Sequence, residues 1–107
     1  MSVPPPPEGE ILKAVLEPLL EDFLYWFSRS RSLLKSESLD WLSESDRLAL
    51  LERVQTAEKE VRTARLLFQA TEGKAGIDPA TLIPWHRLVV ECWQVSAKRR
   101  QQREQER

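Results

Sequence analysis

The chain has very little of what active sites are usually built from: one Cys (Cys92), one His (His86) and three Gly, at positions 9, 73 and 76. A lone Cys forms no internal disulfide, so nothing in the sequence points to an oxidising compartment. A metal site needs several His, Cys or carboxylate ligands converging on one point. Cys92 follows His86 by six residues, and at about 100° per helical residue that puts them about 240° apart, on different faces. The same separation disfavours a Cys–His nucleophilic pair, which needs hydrogen-bond reach. His86 is therefore expected to be a partly buried structural residue beside Trp85, and Cys92 a small core hydrophobe. Three scattered glycines do not make a phosphate-cradling loop. Long apolar runs are also missing. The longest is Phe23-Leu24-Tyr25-Trp26-Phe27, against the roughly 20 residues of a membrane span. Met1-Ser2-Val3-Pro4-Pro5-Pro6-Pro7-Glu8 lacks the basic start and apolar run of a secretion signal. The expectation is a cytoplasmic protein that is not an enzyme and takes no cofactor.

What is present is balanced charge, unevenly spread. The formal net charge is −1, and the hydrophobic set makes up 41% of the residues, so the chain lacks the high charge and low hydrophobicity of a disordered one. Residues 1–42 carry 4 basic and 7 acidic side chains, whereas residues 74–107 carry 7 basic and 4 acidic. The first segment is thus net −3 and the last net +3, much of the excess lying in Lys98-Arg99-Arg100 and beyond. A chain polarised in this way can dock with itself or with an oppositely charged surface.

Hydrophobic spacing predicts three helices. Residues 1–8 form a Pro-rich lead in which Pro fixes φ and removes the donor a helix needs, predicting extended polyproline II. Helix one is predicted from about Glu8–Ile11 to Ser36, with Leu12, Leu16, Leu19, Phe23, Trp26, Ser30 and Leu33 as its core stripe in steps of four and three. Pro18 within it predicts a kink, or a fresh start there. Leu39-Asp40-Trp41-Leu42 reads as a connector with apolar anchors. Helix two is predicted to start after Ser43 or Ser45, each a good N-cap, and to end near Gly73. Its seam is Leu50, Val54, Ala57, Val61, Ala64 and Phe68, with Glu58 and Arg62 forming an i,i+4 pair on the outer face. Asp78-Pro79 is an N-cap followed by Pro in the first helical position. Pro84 predicts a short turn before helix three proper, whose stripe is Leu88, Val89, Cys92, Trp93 and Val95 or Ser96. Residues 98–107 contain no apolar side chain and are expected to be a charged, frayed or disordered tail beyond a helical domain of residues 9–97.

Catalysis finds little support in the side chains. Glu17 and Glu21 share a face, but Lys13 precedes Glu17 by four residues on it, which reads as a solvated edge. Binding has more. Five consecutive apolar residues from Phe23 to Phe27 cover a whole turn of helix. Either helix one is sandwiched between two neighbours, or Leu24, Tyr25 or Phe27 is left for a partner. Arg29 and Arg31 follow this run, and Lys98, Arg99, Arg100 and Arg103 form a second basic cluster. Aromatics beside positive charge suit single-stranded nucleic acid, although the chain's pI near 5.9 argues against it.

Leu16-Glu17-Pro18-Leu19-Leu20-Glu21-Asp22-Phe23 through Trp26-Phe27, Phe68-Gln69-Ala70-Thr71-Glu72-Gly73, and Pro84-Trp85-His86 through Glu91-Cys92-Trp93-Gln94-Val95 resemble the small cyanobacterial family catalogued as domain of unknown function 2605. The likeness covers roughly residues 11–97. It implies a photosynthetic bacterial host and a cytoplasmic or thylakoid-associated setting, and it carries over no activity, cofactor or catalytic residue.

Together these readings predict an all-α, three-helix bundle in which helices one and two form a long antiparallel hairpin and helix three packs across its open side. The expected function is a non-catalytic protein–protein interaction, adaptor or assembly module. Its candidate binding residues are Leu24, Tyr25, Phe27, Arg29, Arg31, Lys98, Arg99 and Arg100. The alternative is a nucleic-acid-associated protein using the basic tail with Arg29 and Arg31. An unidentified protein partner is expected, a homodimer through the Leu50–Phe68 seam is compatible with either reading, and so is peripheral attachment to a membrane.

Overall fold

The computed structural model describes residues 8–36 and 39–105, with side chains described from residue 14 onward. Of the Pro-rich lead expected over residues 1–8, residues 1–7 lie outside the described residues, as does the Lys13 side chain, and Glu8 opens α1. The described residues form three helices: α1 (Glu8–Ser36), α2 (Glu44–Ala70) and α3 (Pro79–Gln105). Each spans about 40 Å at 1.5 Å per residue. α1 pairs with α2 over its length and with α3 along another side, while α2 and α3 touch each other less. Cross-helix pairs give the directions. Glu21 meets Arg65 and Arg31 meets Glu58, so α2 runs antiparallel to α1. Phe23 meets Trp85 and Trp26 meets Trp93, so α3 runs parallel to α1.

The helix ends follow from side-chain chemistry. The Ser43 hydroxyl accepts the Asp46 N–H at 3.0 Å, satisfying one of the donors that a helix start leaves open. Asp78 does the same for the Ala80 N–H at 2.9 Å, with Pro79 in the first helical position. Arg47 donates to the Leu34 carbonyl and to the Glu44 carboxylate, tying the end of α1 to the start of α2. That hydrogen bond holds the Glu44 carboxyl below its ordinary range. At the other end of α2, the Gly73 N–H donates to the Phe68 carbonyl at 2.8 Å and the Glu72 N–H to Gln69 at 3.1 Å. This is a Schellman closure in which the left-handed position falls on Glu72 (φ 54°), one residue before Gly73.

The core is Leu20, Phe23, Phe27 and Leu34 of α1, Leu39 of the connector, Val54, Ala57 and Val61 of α2, and Trp85, Leu88, Val89 and Cys92 of α3. Relative to the predicted stripe, α1 is rotated. Leu16, Leu20, Phe23, Phe27, Ser30 and Leu34 are buried, while Leu19, Trp26 and Leu33 are only partly so. The α2 seam lies as predicted, with Val54, Ala57, Val61 and Phe68 buried. Because that seam is used within the chain, it is not free for the homodimer that its spacing was compatible with.

Three further expectations are corrected. α1 continues through Pro18 and α3 through Pro84, so neither the fresh start at Pro18 nor a separate short turn before Pro84 occurs. Both prolines are exposed, so water can solvate the carbonyls they leave unbonded. Glu58 is not on an outer face. It is 3% exposed, between α1 and α2, with Arg62 at 3.3 Å and Arg31 at 3.5 Å. Beyond Ala97, α3 continues to Gln105. There Gln102 accepts the Trp41 indole N–H at 3.1 Å and donates to Asp40 at 3.0 Å, fastening the α1–α2 connector to the last turns of α3.

Two stability changes follow. Glu72→Gly removes the cost of holding a side chain in the left-handed region and should stabilise the fold by about 1 kcal/mol in urea unfolding. Glu58→Ala strands Arg31 at a packed interface. With both arginines partly solvated, a loss of about 1–3 kcal/mol is expected in the same measurement.

Candidate partner-binding surface

The five-residue run of α1 is distributed around the helix by its 100° step. Phe23 and Phe27 point into the core and stack with ring centroids 6.2 Å apart. Leu24 and Trp26 are half-buried against the core edge. Tyr25 is left outward, 56% exposed. Phe27 is 0% exposed, which removes it from the candidate binding residues: it falls four residues after Phe23, on the same core face.

Tyr25 does not stand alone. Its ring meets Trp26 edge-on at 5.2 Å, Trp26 meets Trp93 of α3 edge-on at 5.8 Å, and His86 meets Trp93 at 6.4 Å. Arg29 lies over the Trp26 ring at 5.7 Å and donates to the Tyr25 hydroxyl at 3.0 Å. These contacts build one aromatic face across α1 and α3, with Trp93 42% exposed and His86 at the surface. The expectation of a partly buried His86 against Trp85 is therefore corrected, because His86 lies on the outward side of α3. Ile83, 51% exposed, and half-buried Val90 continue the same side of α3 in steps of three and four. The i,i+3/i+4 spacing of Ile83, His86, Val90 and Trp93 was present in the sequence, but the residues were divided between a core stripe and a chemical test of His86.

The remaining candidates scatter. Arg31 lies on the α2 side of α1, paired with Glu58, so it does not share a surface with Arg29. Lys98 sits over the Trp41 ring at 4.8 Å, facing the connector. Arg99 and Arg100 line a cleft of about 210 Å³ with Arg29, Ser32, Ser36 and Ser96. The structure thus brings together Tyr25, Arg29, Arg99 and Arg100, and separates them from Arg31 and Lys98.

Other features are structural in character. Glu21, half of the Glu17–Glu21 pair, is bound to Arg65 at 3.2 Å. An open groove between α2 and α3 has volumes of about 420 and 470 Å³ towards its two ends. It is bridged by the Arg53–Glu91 ion pair and by the Trp85 indole donating to Glu60 at 3.1 Å. Among the described residues no three His, Cys, Asp or Glu side chains are gathered as metal ligands, and no helix is long and apolar enough to cross a membrane.

The chain matches the family described as Protein of unknown function (DUF2605) over residues 6–101. It belongs to that family. Comparisons with curated proteins and with solved structures find no match. The family match runs through all three helices and through every aromatic of the α1–α3 face.

Cys92 is 1% exposed, and burial pushes its thiol up, opposed in part by the hydroxyl of buried Ser30. Less thiolate and no access both slow its chemistry. Reaction with a disulfide reagent at pH 8 should therefore be at least about 100-fold slower in the native protein than in urea, as followed by released thiolate absorbance.

Proposed function

We propose that this DUF2605 protein is a non-catalytic interaction module, an adaptor or assembly element that binds another protein surface through the aromatic face of α1 and α3. The observation that carries this reading is the exposure of Tyr25 and Trp93 on one face, held in place by Trp26, His86 and Arg29. Large aromatics and Arg are the residues that dominate binding energy at protein interfaces. Their mutual contacts already restrict their rotamers, which lowers the ordering cost of binding. The resemblance to a cyanobacterial family supports a photosynthetic bacterial setting, in the cytoplasm or at thylakoid-associated complexes.

A second reading has one specific observation in its favour. Arg29, Arg99 and Arg100 converge on a single cleft beside the aromatics, an arrangement that suits a nucleic-acid backbone. The separation of Arg31 and Lys98 from that cleft weakens it.

The test is affinity capture from native lysate at low and high salt, with wild type and a Tyr25→Ala/Trp93→Ala variant. A defined protein retained at high salt and lost in the variant supports the interaction reading. Nucleic acid retained only at low salt supports the second, because phosphate contacts weaken steeply as salt rises.

A further inference from the structure

The α1–α3 face is self-complementary under a two-fold rotation. Asp22 and Arg29 lie on the outward side of α1, one turn before and one turn after the Tyr25–Trp26 pair. An axis perpendicular to the helices, passing between Tyr25 and Trp26, sets Asp22 of one copy opposite Arg29 of the other, twice. The contacts Phe23–Trp85 and Trp26–Trp93 fix the level of α3, and the same axis meets it close to Val90. About that point Val90 faces Val90, His86 faces Gln94 next to Trp93, and Ile83 faces Ala97. Both helices therefore share one register, with apolar or aromatic groups at the centre and opposite charges beside them.

We propose that this face binds a second copy of the chain, giving an antiparallel, two-fold dimer whose shared core is α1 and α3 from each copy. The proposal rests on the interaction reading above and names its partner. Charge complementarity selects the occupant: Asp22 against Arg29 is opposite in sign in the antiparallel arrangement, and like charges meet in any pairing that sets Arg29 against Arg29. The size is sufficient. From Val15 to Leu33 the face is about 27 Å long, and two helices about 10 Å wide make it about 20 Å across. That is about 500 Å² per copy in flat projection, so the two together reach the roughly 1,000 Å² that a specific interface needs. Tyr25, Ile83 and Trp93, each 42% exposed or more in the monomer, are covered by this arrangement.

Sedimentation equilibrium and light scattering of the full chain test it, with Asp22→Arg, Arg29→Asp and an equimolar mixture of the two. Both residues are exposed, and circular dichroism checks that helicity is kept. The wild type should form a dimer of twice the 12.5 kDa chain mass. Each single reversal sets like charges together twice and should raise the dimer Kd by about tenfold or more. The mixture restores both opposite-sign pairs and should recover dimer as a heterodimer. A wild type that stays monomeric up to about 0.5 mM, or a dimer indifferent to both reversals, overturns the proposal. If the wild type is monomeric and the Tyr25→Ala/Trp93→Ala variant still loses a high-salt protein partner, the second copy is excluded and the interaction reading stands. If neither a dimer nor a captured protein is found, both fall.

Discussion

A helix that places apolar side chains at five successive positions has no polar face left over one whole turn, and α1 does this from Phe23 to Phe27. The arrangement of the other two helices follows from that constraint. Phe23 and Phe27 take the core, Leu24 packs against its edge and Trp26 is covered from the α3 side. α1 therefore becomes the central element, and α2 and α3 lie against it more than against each other. The groove between α2 and α3 is the geometric consequence, and polar groups cross it: Arg53 with Glu91, and Glu60 with the Trp85 indole. Tyr25 is the most exposed of the five, because it points directly away from the core.

Between α1 and α2 the chain buries a carboxylate. Glu58 is 3% exposed, a position that would cost several kcal/mol without a partner. Arg62, one turn along α2, and Arg31, across the interface, supply the opposing charge. The two partners are not equivalent. Sliding α2 by one turn along α1 keeps Arg62 with Glu58 but takes Arg31 away. The Arg31 contact therefore penalises slipped pairings that the apolar seam alone would tolerate, since Val54, Ala57 and Val61 recur at the period of the helix. Ala57 leaves room for close approach at this point, so the ion pair and the small side chain act together to set the register.

Much of this was legible in the sequence where a local signal had no competitor. Ser43 and Asp78-Pro79 have one good structural use, and each caps its helix as read. The α2 seam is legible because polar residues flank each of its positions from Val54 to Ala64. The α1 stripe was ambiguous for a definite reason: Leu19-Leu20, Trp26-Phe27 and Leu33-Leu34 are adjacent apolar pairs. Two heptad registers sharing Leu16, Phe23 and Ser30 are therefore equally hydrophobic, and only the positions of α2 and α3 choose between them. The cost of a helix-interior proline suggests a kink or fresh start at Pro18 and a short turn before Pro84. That cost depends on whether the orphaned carbonyl is wet, which is a tertiary property. Burial of Glu58 is likewise invisible to spacing alone, since an i,i+4 acid–base pair reads as a solvated face until a third charge arrives from another helix. The aromatic face suffered from division. Tyr25 stands out in the apolar run, but the stripe places Trp93 in the core and His86 reads as a partly buried structural residue beside Trp85.

Among the described residues, the α2–α3 groove and the α1–α3 face differ in what covering them would cost. In the α2–α3 groove, Leu67 is 57% exposed beside Ala64 and Thr63, and a partner entering deeper must contend with the Arg53–Glu91 pair and the Glu60–Trp85 hydrogen bond. Displacing either leaves a polar group to be satisfied again. On the α1–α3 side the polar atoms are used differently. The Tyr25 hydroxyl already accepts from Arg29, so the rings can be covered without breaking a hydrogen bond across the surface. Trp26, wedged between Tyr25 and Trp93 in edge-on contacts, holds both exposed rings in place before any partner arrives. A surface whose aromatics are ordered in advance gives up little conformational entropy when covered, and one whose polar groups keep their partners gives up little hydrogen bonding. On both counts the α1–α3 face would cost less to cover, and it is the same central helix that supports it from beneath.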